Sequence, residues 1–131
     1  MAPTFAAIGL AVADMEKSLA FYRVLGLDIP AGSAEAPHAE ATLPGGIRLM
    51  WDTYETIRSF HPGFSPAAGD GRVSLAFACD DPADVDHTHA ALVAAGYQSH
   101  LEPWDAHWGQ RYGVVLDPDG NNVDLFAPLP T

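Results

Sequence analysis

The same strand-to-helix corner occurs twice in this chain, as Ile8-Gly-Leu-Ala-Val-Ala-Asp14 and as Leu75-Ala-Phe-Ala-Cys-Asp-Asp81. The two copies stand about half a chain apart, and each is followed by a helical pattern that stops at a glycine. A half-chain period predicts two copies of one small unit. In the first copy Ile8, Leu10 and Val12 alternate with Ala7, Gly9 and Ala11, the period-2 pattern of a strand covered on one face. Leu75, Phe77 and Cys79 alternate with Ser74, Ala76 and Ala78 in the same way. Asp14 then precedes Met15, Leu19, Tyr22 and Leu25 at helical spacing, with Gly26 as the stop. Asp81 precedes Pro82 at a first helical position, then Val85, His89 and Leu92, with Gly96 as the stop. Both aspartates read as N-caps, because a short side-chain acceptor there satisfies an otherwise unbonded amide of the first turn.

Three short strands are expected after each helix. In the first half they are Leu27 to Ile29, His38 to Leu43 and Ile47 to Asp52, the last two separated by a Pro44-Gly-Gly46 turn. In the second they are Gln98 to Glu102, Arg111 to Leu116 and Asn122 to Phe126, the last two separated by Asp117-Pro-Asp-Gly120. The expected fold is α+β, two tandem βαβββ modules forming curved mixed sheets around a cleft. Module 1 covers about 1–58 and module 2 about 72–131. The intervening 59–71 is rich in proline and glycine and reads as a connection, with a short helix where it leaves module 1. The small residues Ala7, Gly9, Ala11, Ser74, Ala76 and Ala78 leave one side of each first strand uncrowded, which suits a cleft better than a packed sandwich.

Composition narrows the function classes. A chain of 131 residues with 48% hydrophobic content suits one domain with a real core. No stretch approaches the roughly 20 apolar residues that span a bilayer, so a soluble, cytoplasmic protein is expected. Seventeen acidic against six basic residues give a formal charge of −11, which repels nucleic acid and anionic membrane surfaces; the acidic surface reads first as keeping a small protein soluble, and second as a field that favours a cationic ligand. Cys79 is the lone cysteine and reads as a small buried hydrophobe.

Two motifs carry a family resemblance: Asp14-Met-Glu-Lys-Ser-Leu-Ala-Phe-Tyr22 with Leu25-Gly-Leu27, and Trp108-Gly-Gln-Arg111 followed by Asp117-Pro-Asp-Gly-Asn-Asn-Val-Asp-Leu125. Together with the repeat, they resemble the vicinal oxygen chelate superfamily of glyoxalase I, extradiol dioxygenases and bleomycin-resistance proteins. The resemblance implies that metal-dependent members take one ligand near the start of each first strand and one on the last strand of each module. Matched motif by motif, those positions are Ala7, Ser74, Met50 and Asp124. Alanine has no donor, a serine hydroxyl is a weak one and a thioether suits soft ions, so no metal and no other cofactor is expected. The six histidines do not repair the set. His87 and His89 lie two apart on a helix and point roughly 200° apart, while His100 and His107 flank a turn.

Aromatic residues gather in the segments that border the expected cleft. Trp104, Trp108 and Tyr112 are candidates for stacking on a planar or cationic ligand, whereas Trp51 shares a face with Leu49 and reads as core. Arg48, Met50, Asn122 and Asp124 fall on the uncrowded face of the last strands. Asp124 suits an amine, amidine or protonated heterocycle, or else a structural pair with Arg48 or Arg111. His107 completes the candidate ligand-binding set. The preferred reading is a non-catalytic protein that sequesters an antibiotic or related metabolite, with a homodimer implied by the resemblance. The alternative is a lyase, isomerase or dioxygenase, either with displaced metal ligands or metal-free with Asp124 or a histidine as general base.

Overall fold

A computed structural model describes residues 2–67 and 71–131 of the chain. Two compact units are present, the first running to Pro66 and the second beginning at Ala67. The first carries β1 (Ala7–Val12), α1 (Met15–Val24), a 3-10 turn at Ser33–Glu35, β2 (His38–Thr42), β3 (Arg48–Thr53) and a short α2 (Tyr54–Arg58). The second carries β4 (Ser74–Ala78), α3 (Pro82–Ala94), β5 (Ser99–Ala106), β6 (Gln110–Leu116) and β7 (Asn122–Pro128). Each unit is a strand, a helix and a mixed sheet, so the expected tandem α+β architecture is observed.

The two corners are built by the same local chemistry. Asp14 accepts a hydrogen bond from the Lys17 amide at 3.1 Å, and Asp81 accepts one from the Asp84 amide at 2.8 Å with Pro82 beginning the helix. Caps of this kind contribute about 1 kcal/mol each. At the far ends Gly26 and Gly96 have φ of 91° and 100°, a left-handed conformation open to glycine at little cost. They end the helices alike: Leu27 donates to the Tyr22 carbonyl at 3.2 Å, and Tyr97 to the Leu92 carbonyl at 3.1 Å.

In the first sheet β3 is central, parallel to β1 and antiparallel to β2. In the second the order is β4-β7-β6-β5, with β4 and β7 parallel and the other pairs antiparallel. The strand expected at Leu27 to Ile29 does not form. The Arg23 guanidinium donates to the Ile29 carbonyl at 3.2 Å and the Pro30 carbonyl at 3.0 Å, and proline offers no amide, so this segment has little left for a ladder. The first sheet therefore has three strands where the second has four.

Within each unit the core lies between the helix and one face of the sheet. Leu19, Phe21 and Tyr22 of α1 are buried with Val12, Leu49 and Trp51, and the Tyr22 and Trp51 rings meet edge-on at 5.6 Å. Trp51 is thus a core residue, as its face predicts. In the second unit Val85, His89 and Leu92 of α3 are buried with Val115, Val123 and Leu125. His89 is only 4% exposed, and its Nε2 lies 2.9 Å from Ser99 Oγ, so the imidazole is hydrogen-bonded inside the core. Cys79 is half-buried rather than a full core residue. On the opposite face of β4, Ser74, Ala76 and Ala78 are all exposed.

Candidate functional site

Register brings the strongest sequence candidates onto that open face of the second sheet. Ser74 pairs with Asn122, Ala76 with Asp124 and Ala78 with Phe126 between β4 and β7. Asp124 pairs with Val114, and Phe126 with Tyr112, between β7 and β6. Trp104 pairs with Tyr112 across β5 and β6. The last pairing depends on β5 running farther than its expected end at Glu102. Two register shifts in β5 flank Leu101 and carry the strand past Pro103. Gly113 makes this possible, since a Cβ there would stand 3.2 Å from Pro103 Cγ.

Asp124 is 8% exposed, yet its hydrogen-bond partners are neutral hydroxyls. Tyr112 Oη donates a very short hydrogen bond to Asp124 Oδ2, and Ser74 Oγ donates to the same oxygen at 3.1 Å. Neither bond falls on Oδ1. Burial, then the neighbouring carboxylate, pushes the Tyr112 hydroxyl up to about 12 from 10.0, so the phenol holds its proton through the physiological range. The arginines considered as partners are engaged elsewhere: Arg48 with Glu40 at 2.8 Å, and Arg111 with Asp86 at 3.0 Å and Asp105 at 3.1 Å.

Beside the carboxylate stand three aromatic rings. Trp104 and Tyr112 have centroids 5.5 Å apart, Trp108 and Tyr112 5.3 Å, and Trp104 and Trp108 5.9 Å. His107 lies edge-on to Trp108 at 5.0 Å. Trp108 Nε1 donates to Gln110 Oε1 at 2.8 Å, which fixes the indole. Trp104 and Trp108 nevertheless keep 37% and 49% of their surface exposed. Exposed indoles on a single sheet face offer a ligand substantial apolar area.

Arg48 and Met50 lie in the first unit, on the corresponding face of its own sheet. Met50 pairs with Gly9 as Asp124 pairs with Ala76, which fixes the register of Met50 and its correspondence to Asp124. This face carries a polar chain that no motif announced. His38 Nδ1 is 2.6 Å from Asp52 Oδ1, His38 Nε2 is 2.7 Å from Glu40 Oε2, and Glu40 Oε1 accepts from Arg48. Two carboxylate acceptors require both ring N–H groups, so the Glu40 bond first and the Asp52 bond second raise the His38 pKa above 6.5. The bonds from His38 and Arg48 in turn lower that of Glu40. The spacing of His38 and Glu40 on one strand, opposite Asp52 and Arg48 across a glycine turn, was the available signal.

The four family metal positions do not fit a divalent ion. Ala7 has no donor, Met50 offers a thioether, and the Ser74 hydroxyl is spent on Asp124. Among the described residues no group of three or more His, Cys, Asp or Glu side chains is placed to hold a metal.

Comparison with known proteins agrees with this architecture. The family model for the glyoxalase/bleomycin resistance protein/dioxygenase superfamily matches residues 4–125. A glyoxalase/bleomycin resistance protein/dioxygenase from Nocardioides is 25% identical with a TM-score of 0.75, covering 98% of this chain and 85% of the other. A family enzyme from Burkholderia phytofirmans PsJN is 20% identical with a TM-score of 0.83, covering 97% of this chain and 100% of its own. A glyoxalase-related enzyme from Fulvimarina pelagi is 23% identical with a TM-score of 0.79, covering 95% and 87%. None of the curated proteins matches the chain. With the duplicated module, the register of the last strands and the family match all in agreement, the chain belongs to the glyoxalase/bleomycin resistance protein/dioxygenase superfamily.

Proposed function

We propose that this protein binds a small planar or cationic molecule on the open face of its second sheet, without a metal ion and without converting it. One observation carries the reading: a largely buried carboxylate, Asp124, hydrogen-bonded only to the neutral Tyr112 and Ser74 among its partners in the described residues, stands beside exposed indoles. Removing a carboxylate from water without a counter-charge is costly, and a cationic ligand would supply that charge while the rings supply contact area. An antibiotic or related metabolite is the expected cargo, sequestered rather than processed. Asp124, Trp108, Trp104 and Tyr112 form the centre of this site, with Asn122 and His107 at its border. Arg48 and Met50 occupy the equivalent face of the first module's own sheet.

A homodimer belongs to the same proposal. The strands β1, β2, β4 and β5 are sheet edges, and edges left open to water invite pairing or covering. Sedimentation equilibrium of the purified protein should give twice the chain mass.

The binding claim is tested by thermal shift on chelator-treated protein against divalent metals and a panel of planar cationic antibiotics. A ligand at a hundred times its Kd stabilises by about 2.7 kcal/mol, a readily visible shift. The expected result is a shift with a cationic compound, none with metals, and loss of the shift in Asp124→Ala and Trp108→Ala. The compound should be recovered chemically unchanged. A shift confined to metals, or turnover of the compound, would contradict the proposal.

A further inference from the structure

We infer that Asp124 receives its ligand through Oδ1 alone, so that the site takes a protonated amine and discriminates against the two-pronged amidinium and guanidinium groups. This deepens the binding function proposed above and rests on it. The hydrogen bonds of the carboxylate decide the class. An ionised carboxylate only accepts, and its two oxygens offer about four lone-pair positions, two on each. Ser74 Oγ donates to Oδ2 at 3.1 Å, and Tyr112 Oη donates to the same atom. Both positions on Oδ2 are therefore occupied by the protein itself.

Oδ1 is in the opposite condition. Among the described residues no hydrogen bond falls on it, and it is not one of the fully buried side-chain atoms that lack a partner, so it meets solvent. The neighbour of Asp124 on β4 is Ala76, which is exposed and brings only a methyl group to the face. β4 is the edge of its sheet, so no further strand of that sheet stands between Ala76 and solvent.

Amidinium and guanidinium ions gain their advantage by placing two parallel N–H groups on the two oxygens of one carboxylate. Here the second prong would meet an oxygen whose lone pairs are taken. Asp124 is only 8% exposed, and an N–H left without an acceptor in such a place carries its full desolvation cost. A protonated amine needs one acceptor and finds it on Oδ1, while its charge offsets that of a carboxylate whose two protein partners are neutral. The block on Oδ2 is also durable. Burial first, and then the bond to Asp124, hold the Tyr112 hydroxyl up at about 12, so the phenol remains a donor throughout the range in which a simple amine is charged. Ser74 supplies the other half of the block from an exposed position at the start of β4, reaching Asp124 diagonally from its own pairing with Asn122.

Amide-resolved NMR titration of the full chain with three probes of similar shape tests this: benzylamine as the protonated amine, benzamidine as the fork, and benzyl alcohol as a neutral single donor. Benzylamine is expected to bind saturably, shifting the Ser74 and Asp124 amides, with each of the others at least about tenfold weaker. Ser74→Ala vacates one position on Oδ2, and the gap between benzylamine and benzamidine should close to within about threefold. Asp124→Asn keeps the shape but not the charge, and should erase the preference for benzylamine over benzyl alcohol. Benzamidine binding as tightly as benzylamine to the wild type would overturn the inference while leaving the broader proposal standing, as would a gap unchanged in Ser74→Ala. Benzyl alcohol binding as well as benzylamine would overturn the demand for a charged amine, and silence from all three probes would remove the proposed site together with the inference.

Discussion

Tyr112 is the residue on which the candidate site turns, because one hydroxyl both orients a ring and covers a carboxylate. Tyr112→Phe leaves Asp124 with Ser74 as its donor, and the expected cost is about 1 to 2 kcal/mol in denaturant unfolding. The folded protein also holds the Tyr112 proton more tightly than the unfolded chain does. Stability from this group is therefore fully present below pH 10.0 and is lost as pH rises to about 12. Absorbance titration should show a late tyrosine ionisation that is lost in Tyr112→Phe. His38 behaves in the opposite compartment of the pH scale. Its raised pKa stabilises the fold most fully below pH 6.5, and that contribution disappears as pH rises through the folded value. The His38 imidazole resonances followed by NMR should titrate above 6.5 in the wild type and move down in Glu40→Gln. Of these two clusters, the identities of Tyr112 and Asp124 were legible in the sequence, but their hydrogen bond was not: they sit diagonally, on positions offset by two in the β6–β7 register. The same offset hid the Glu40 partner of Arg48, whereas Arg111 is held by Asp105 directly opposite it on β5 and by Asp86 of α3.

At the scale of elements, the corners were the most readable part of the chain. An acidic cap, an apolar stripe and a glycine stop each carry a local physical reason, and both copies formed as expected at Asp14 to Gly26 and Asp81 to Gly96. Elements decided by competition between segments were less readable. Leu27 to Ile29 has a strand-like composition, yet Arg23 takes the carbonyls at its end before a neighbouring strand can. The strand expected to end at Glu102 continues past Pro103 through two register shifts, and only the missing side chain of Gly113 leaves room for it. Gly113→Ala would press a methyl to within 3.2 Å of Pro103 Cγ and 3.4 Å of its backbone. The expected destabilisation is about 1 to 3 kcal/mol. Because Trp104 follows that bulge, the variant should also weaken cation binding; a variant as stable as wild type with unchanged binding would refute the role given to Pro103.

Over the whole molecule, the duplicated unit has kept its backbone plan while its two open faces have acquired different chemistry. Where the second sheet carries Ser74, Asp124 and an aromatic cluster, the first carries Ala7, Met50 and the Arg48–Glu40–His38–Asp52 chain. A period read from sequence exposes the plan, since both copies need the same caps and core stripes. It does not expose the function, because the open faces are free of those constraints. The formal charge of −11 acts on any cationic ligand from a distance and is screened by salt. Affinity for a cation should therefore fall steadily as ionic strength rises, whereas a neutral ligand of similar size should show little change. The most direct test of the account is a two-dimensional NMR titration of chelator-treated protein with a cationic compound that produces a thermal shift. The account predicts saturable changes centred on the Trp104 and Trp108 indole signals and the amides of Ser74, Tyr112 and Asp124, with the compound intact at the end. Changes confined to other residues, or appearing only after a divalent metal is restored, would contradict it.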